Sequence, residues 1–117
     1  MNYNFKILNN TYKTINYINK LLINYPKKEV VLKNNIESNC YELIESIFAY
    51  NINETWRIKE KHLKEVLIKL SMLDFYIRVS YDKKILSRHQ LNVVCRFMIE
   101  IKKMVYGLKK KEKEVDE

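Results

Sequence analysis

The stretch Tyr25–Ser38, YPKKEVVLKNNIES, contains the only proline of this 117-residue chain and begins where a helical pattern breaks off. Proline disfavours helical backbone at the residue before it, so Pro26 predicts the end of a first helix. Proline also suits the first turn of a new helix, because its missing N–H is not needed there. Glu29 adds negative charge to that turn, where the helix dipole favours it. The stretch therefore predicts a corner between two helices.

Apolar residues on both sides of this corner recur at steps of three and four, the spacing of a helix with one buried face. The first two predicted helices carry Leu8, Tyr12, Ile15, Ile18, Leu22 and Tyr25, and then Leu32, Ile36, Cys40, Leu43, Ile47 and Tyr50. The third and fourth carry Leu63, Val66, Leu67, Leu70, Leu73, Ile77 and Tyr81, and then Leu91, Val94, Met98, Ile101, Val105 and Leu108. These stripes predict four helices.

Two short segments separate the later stripes. Asn51–Thr55 is rich in residues that suit helix ends, and YDKKILS at 81–87 ends in Ser87, which forms a capping-box pattern with Gln90. Short connections favour antiparallel neighbours. We therefore predict an all-α fold, an antiparallel up-down-up-down four-helix bundle over residues 1–110, followed by a charged, disordered tail at 111–117.

The composition agrees with a helical protein and narrows its environment. One Gly and one Pro leave little material for the tight turns of an all-β fold. No apolar run is long enough to cross a bilayer and the N-terminus lacks a signal-peptide core, so we expect a cytoplasmic protein without a membrane partner. Cys40 and Cys95 are far apart among apolar residues, which favours reduced thiols over a disulfide or metal site.

The third helix has a second apolar stripe, and helix two has extra apolar residues at Tyr41, Ile44 and Phe48. At about 100° per residue, the second stripe lies well away from the first. One interpretation is a wider core face; the other, which we favour, is an interface between copies of the chain in a ring- or barrel-like homo-oligomer. The residues predicted for that interface are Ile68, Met72, Phe75 and Val79.

The net charge of +8 favours a polyanionic partner. Codon bias in an AT-rich genome would explain part of the lysine excess, so the four arginines are the better indicator. Three of them, Arg78, Arg88 and Arg96, lie near the end of helix three or on helix four, and arginine pairs with phosphate in a fork geometry. An ordinary solvated helix face is the alternative. We predict nucleic-acid contacts at Arg78, Arg88, Arg96 and Lys103.

No motif for catalysis, a metal or another cofactor is evident in the sequence, and we expect a non-enzymatic protein. Glu37, Glu42 and Glu45 are better explained as a solvated helix surface than as a metal site. One pattern offers an alternative, since Arg57 and His62 have the Rx4–6H spacing of HEPN ribonucleases. In such a site His moves a proton while Arg holds the phosphate. Short spacings of this kind also occur by chance.

The order of four segments resembles the accessory variability determinant (Avd) proteins of diversity-generating retroelements. These segments are YPKKEVVLKNNIE, ELIESIFAYN, LKEVLIKLSMLDFYIRVSYDKKILS and IEIKKMVYGLKK, and the similarity spans about Thr11 to Lys110. The chain departs from that family at Lys33, where a glycine is frequent, and at Tyr106-Gly107, where Gly-Gly is usual. The related 23S rRNA intervening-sequence proteins share the aromatic-Pro-Lys step, but they usually carry an NIAEG-like segment after the start of helix two. This chain has NINETW later instead, at Asn51–Trp56, which favours the Avd branch.

The resemblance implies a basic, barrel-like homopentamer that binds the reverse transcriptase of its element and the template RNA, or DNA. Such a protein supports mutagenic cDNA synthesis without catalysing it. An rRNA-associated intervening-sequence-type protein is the second possibility, which a neighbouring rRNA gene would favour over a retroelement. A HEPN-like endoribonuclease is the third.

Overall fold

The computed structural model describes the backbone of residues 3–116 and the side chains of residues 5–111. Within that range the chain is all-α, with four long helices and no strand. The elements are α1 (Tyr3–Leu22), a short 3-10 turn (Lys27–Glu29), α2 (Val30–Ile52), α3 (Trp56–Asp82) and α4 (Arg88–Asp116). The prediction of an all-α protein with four helices is confirmed.

The corner after α1 forms where proline predicts it. Pro26 has the extended conformation expected before a helix, with φ −61° and ψ 148°, and the 3-10 turn follows before α2 begins at Val30. The helix thus starts one turn later than predicted. The Glu29 N–H donates to the carbonyl of Pro26 at 2.9 Å, which closes that turn.

The predicted loop between the second and third helices and the predicted capping box are also present. The loop between α2 and α3 is shorter than predicted, because α2 continues to Ile52. At the start of α4 the Ser87 N–H donates to the Gln90 side-chain oxygen at 2.9 Å, and the Gln90 N–H donates to the Ser87 hydroxyl at 3.1 Å. These reciprocal bonds satisfy two N–H groups that a helix N-terminus otherwise leaves without partners.

The core contains the predicted stripes of α2, α3 and α4 but differs in α1. Tyr12, predicted as a core residue, is 46% exposed, and Ile7, Thr11 and Thr14 are buried in its place. The two threonines can be buried because each hydroxyl donates to a carbonyl one turn earlier, Thr11 to Ile7 and Thr14 to Asn10, at 2.8 Å in both cases. The prediction for Tyr12 is therefore wrong.

Neighbouring helices pack in the order α1–α2–α3–α4, with α4 returning to α1. Within the described residues α2 and α4 do not pack on each other, so they occupy opposite corners of the arrangement. The molecule is elongated, 50 × 23 × 20 Å, as expected for long helices side by side. No helix in this part of the chain is both long and apolar enough to cross a membrane.

α4 continues to Asp116. Of the predicted tail at 111–117, the side chains beyond Lys111 and all of residue 117 lie outside the described residues. The boundary between bundle and tail at residue 110 stays a prediction.

Candidate nucleic-acid interface

Positive charge is concentrated on residues 88–111 of α4. Between residues 88 and 111 there are seven Lys or Arg residues and one acidic residue, Glu100. α2 has the opposite balance, with Lys33 against three glutamates. Because α2 and α4 occupy opposite corners, the protein has a basic side and a weakly acidic side. A polyanion would be attracted to the side of α4.

One line of side chains on α4 faces away from the core, and all of its members are exposed. It is the face opposite the buried Val94 and Ile101, which are fully covered by the other helices. We call this set the α4 outer line; its members are Arg88, Asn92, Arg96, Ile99, Lys103, Tyr106 and Lys110.

Arg78 differs from the other predicted contacts, because it lies in the groove between α3 and α4. Its guanidinium Nε donates to Asp74 at 2.9 Å, and this bond raises the pKa of Arg78. Another guanidinium nitrogen is 4.0 Å from Cys95 Sγ. Burial raises the pKa of the Cys95 thiol, and the charge of Arg78 opposes that shift. Arg78 is thus partly neutralised before any phosphate arrives.

The groove that holds Arg78 has a volume of about 320 Å³ and also contains Lys102 and Ile99. Cys95 is partly buried there, whereas Cys40 is inside the core, and neither thiol is part of a disulfide in this copy of the chain.

Two further predicted contacts also interact within the chain. The guanidinium carbon of Arg88 is 5.9 Å from the centroid of the Tyr81 ring, a cation–π geometry. Lys103 Nζ is 3.5 Å from a carboxylate oxygen of Glu100, and both side chains are more than half exposed. Water screens a pair of this kind strongly, so Lys103 keeps most of its ability to meet a phosphate.

Of the four predicted nucleic-acid contacts, Arg96 is the one whose charge interacts least with other residues of the chain. It is exposed and makes no ion pair among the described side chains. It lines a shallow depression of about 290 Å³ with Val93, Phe97 and Glu100, on the side of α4 that meets α1. The structure thus places Arg88, Arg96 and Lys103 on one face of one helix and Arg78 in the adjoining groove.

The second apolar stripe of α3 is solvent-accessible in a single copy of the chain. Ile68 and Phe75 are each 58% exposed and Met72 is 38% exposed, while Val79 is partly buried. Tyr41 and Phe48 of α2 are also exposed. The alternative that Ile68, Met72 and Phe75 widen the core is therefore wrong; these side chains lie outside it.

Arg57 and His62 do not converge. Five residues turn a helix by about 140°, so the two side chains leave α3 in different directions. His62 Nδ1 is 3.0 Å from a carboxylate oxygen of Glu65, whose pKa the hydrogen bond with His62 lowers, and Arg57 is exposed elsewhere. A single copy of the chain does not assemble the Rx4–6H pair into one site.

The acidic residues of α2 have other partners or are dispersed. Glu42 pairs with Lys69 across the α2–α3 groove. No group of three His, Cys, Asp or Glu side chains within the described residues could hold a metal ion.

The fold and charge distribution define a class: small, basic, all-α proteins of four packed helices. The family follows from comparison with known proteins. A family model described as bAvd-like matches residues 5–112, nearly the whole chain, so the protein belongs to the bAvd-like family. No curated protein matches the sequence. The resemblance predicted from the order of sequence segments is thus confirmed.

Proposed function

We propose that this protein is a non-catalytic, nucleic-acid-binding accessory protein of a retroelement reverse transcriptase. It acts in the cytoplasm, where it binds the polymerase and the template RNA, or DNA, and supports mutagenic cDNA synthesis. The observation that carries the proposal is the combination of bAvd-like family membership with an exposed basic line on α4. The polymerase and the retroelement are part of the proposal because the sequence resembles Avd proteins.

The binding step rests on charge. Each cation that neutralises a phosphate releases counterions, so affinity for nucleic acid falls as salt rises. Arg88, Arg96 and Lys103 offer three such cations on one helix face, and Arg78 offers a fourth from the adjoining groove. Arginine adds a bidentate geometry that suits phosphate oxygens.

Assembly is the second part of the proposal. The protomer is an antiparallel up-down-up-down bundle. This topology is supported by pairs of contacts in which the residue number rises along one helix and falls along its neighbour. On α2 and α3 the contacts are Asn39–Lys69 and Ser46–Glu65, and on α1 and α4 they are Asn10–Met104 and Tyr17–Phe97. Copies of this bundle form a homopentameric ring. One surface of the interface is Ile68, Met72, Phe75 and Val79 of α3.

The other surface of that interface lies on a different helix. Tyr41 and Phe48 on α2 provide exposed apolar area away from the α3 stripe. When two different surfaces of the same chain meet, the contact is head-to-tail, and such contacts close into rings when the rotation permits. Two separate apolar surfaces therefore support a ring better than an isolated dimer.

The experiment that tests the proposal measures RNA and DNA affinity across a salt series for the full chain and two variants. The first variant replaces Arg78, Arg88, Arg96 and Lys103 by Ala. The second replaces Lys6, Lys13, Lys20 and Lys61 by Ala and so removes the same charge from other surfaces.

In the first variant, the slope of log affinity against log salt concentration is expected to become shallower by up to about 3. The second variant is expected to change this slope less. Equal effects would overturn the assignment of these residues. Absence of salt-dependent binding by the unmodified protein would overturn the function. Co-purification with a retroelement reverse transcriptase tests the polymerase separately, and RNA cleavage that is lost in His62→Ala would indicate an endoribonuclease instead.

A further inference from the structure

We propose that the α4 outer line binds single-stranded rather than double-stranded nucleic acid, with the ring of Tyr106 as the platform on which an unpaired base stacks. The inference rests on the proposed function and adds to it the class of nucleic acid and the residue that selects it.

The α4 outer line alternates cations with apolar side chains. From Arg96 onwards its members follow at steps of three and four: Arg96, Ile99, Lys103, Tyr106 and Lys110. The three cations are seven residues apart, about 10.5 Å along the axis, and the two apolar side chains have the same separation. A surface made only for phosphates would not need apolar groups between its cations.

Tyr106 is the aromatic member of this alternation. Its side chain is 52% exposed, although the neighbouring Val105 is fully buried. Lys109 Nζ lies over the Tyr106 ring at 5.9 Å from its centroid, which leaves the other face of the ring for a base, and Lys103 and Lys110 precede and follow Tyr106 along the line. An exposed ring surrounded by cations combines a stacking surface with nearby charges for the backbone of the same strand.

Unpaired bases are what such a surface can recognise. In a duplex the faces of the bases are covered by their neighbours in the stack, whereas the bases of a single strand can turn outward and stack on aromatic side chains. Phosphate contacts alone do not favour the single strand, because both forms carry phosphates and the duplex has the higher charge density. The aromatic ring is therefore the feature that favours a single strand.

The test measures the affinity of the full chain for three fluorescent probes: a single-stranded oligonucleotide, the same sequence as a duplex, and a strand of equal length without bases. Tyr106→Ala and Tyr106→Phe are compared with Tyr12→Ala. Tyr12 is a matched control because it is 46% exposed on α1, and the helical repeat directs it away from the α4-facing Asn10 and Tyr17.

The unmodified protein is expected to prefer the single strand with bases. Tyr106→Ala should weaken binding of that probe about 5- to 150-fold, the range for loss of one stacked base, and leave binding of the base-free strand unchanged. Tyr106→Phe, which keeps the ring, and Tyr12→Ala should bind like the unmodified protein. The salt slope should stay the same in Tyr106→Ala, because no cation is removed.

Three results would overturn the inference. They are equal affinity for the single strand and the duplex, an equal loss for the strands with and without bases, and a change of oligomer mass in Tyr106→Ala, which would assign the ring to an interface between copies. In all three cases salt-dependent binding by the unmodified protein would leave the proposed function standing. If that binding is absent, the proposed function fails as well.

Discussion

The ammonium group of Lys83 is 3.0 Å from both carboxylate oxygens of Glu29, which joins the corner after α1 to the turn between α3 and α4. The two residues are 54 positions apart in the sequence. The Glu29 side chain is 12% exposed and that of Lys83 is 52% exposed, so solvent screens this pair less than it screens an ion pair on an open helix face. Glu29, which ends the 3-10 turn just before α2, thus connects two turns at one end of the bundle.

Replacing Glu29 by Gln should lower the free energy of unfolding by about 0.5–1 kcal/mol, the upper part of the range for surface ion pairs, because the contact involves both oxygens. Urea unfolding at low and high salt measures the effect, which should shrink as salt rises. Glu54→Gln, in the connector, is the control and should have little effect. A cycle with Lys83→Met that shows no coupling would contradict the prediction.

Tyr25→Phe should destabilise the fold by about 1 kcal/mol, the usual net value of one buried hydrogen bond. The Tyr25 hydroxyl donates to the Ser80 hydroxyl at 2.8 Å, and Ser80 in turn donates to the carbonyl of Tyr76 at 2.9 Å. The change removes the first bond and keeps the ring, which is buried. Urea unfolding is the measurement, and Tyr12→Phe, on an exposed ring, should be neutral. Equal midpoints for both variants would disprove the role of this bond.

The inner faces of α2, α3 and α4 could be predicted from sequence because their apolar residues follow the helical repeat, even though the polar Asn39, Ser46 and Ser80 are buried beside them. Leu91, Val94 and Met98 are buried at the predicted spacing. α1 could not be predicted in the same way. Thr11 and Thr14 are counted as polar in a periodicity search, although a threonine that bonds to its own helix is buried at little cost. A search for apolar periodicity therefore predicts Tyr12 as a core residue, although its neighbour Thr11 is the one that is buried.

The candidate site could be predicted only as a set of charges. Helical spacing places Arg88, Arg96 and Lys103 on one face, and the structure has them there. The groove position of Arg78 depends on how α3 packs against α4, which no local pattern specifies. Its pairing with Asp74, one turn earlier, was available from the i, i+4 spacing. The sequence shows that α2 has more acidic than basic residues, but only the packing of the helices shows that α2 lies opposite the basic α4.

Stability at alkaline pH should depend on Cys40. Burial, reinforced by the charge of Glu37, raises the pKa of the Cys40 thiol to about 12. An unfolded thiol ionises near pH 8.5, so between about pH 8.5 and 12 the folded state holds a proton that the unfolded state has lost. Stability therefore falls as pH rises through that window, by up to about 1.4 kcal/mol per pH unit.

Comparison with Cys40→Ala isolates that contribution, because lysines and tyrosines also titrate at alkaline pH. The difference in unfolding free energy between the two proteins should be constant below pH 8 and should then shrink as pH rises. A difference that stays constant up to pH 10 would contradict the prediction. Cys95, which is partly exposed, should react with iodoacetamide before Cys40 does.

Met72→Lys should reduce the mass of the oligomer if the α3 stripe is the interface. Met72 lies between Ile68 and Phe75, and a charge there would be buried without a partner in an assembled ring. In a single copy Met72 is exposed, so the monomer should still fold. Light scattering coupled to gel filtration measures the mass, and circular dichroism checks the helices. Ile23→Lys, at a position 77% exposed near the end of α1, is the control and should keep the full mass.

Arg96→Ala should weaken nucleic-acid binding more than Arg78→Ala does, although both changes remove one arginine. Arg78 is already paired with Asp74, so a phosphate that binds Arg78 must compete with a carboxylate. Arg96 makes no ion pair among the described side chains, and it releases its full share of counterions when a phosphate binds. The slope of log affinity against log salt should fall by about 0.7 for Arg96→Ala on a single strand and by less for Arg78→Ala.

Asp74→Asn separates the two explanations for a weak effect at Arg78. If the carboxylate restrains Arg78, Asp74→Asn should strengthen binding, and Arg78→Ala should then cost more in that background than alone. If no phosphate of the bound strand comes near Arg78, whose side chain is 59% exposed, Asp74→Asn should leave the cost of Arg78→Ala unchanged. A cost for Arg78→Ala in the unmodified protein equal to that of Arg96→Ala would show that the ion pair with Asp74 does not limit binding.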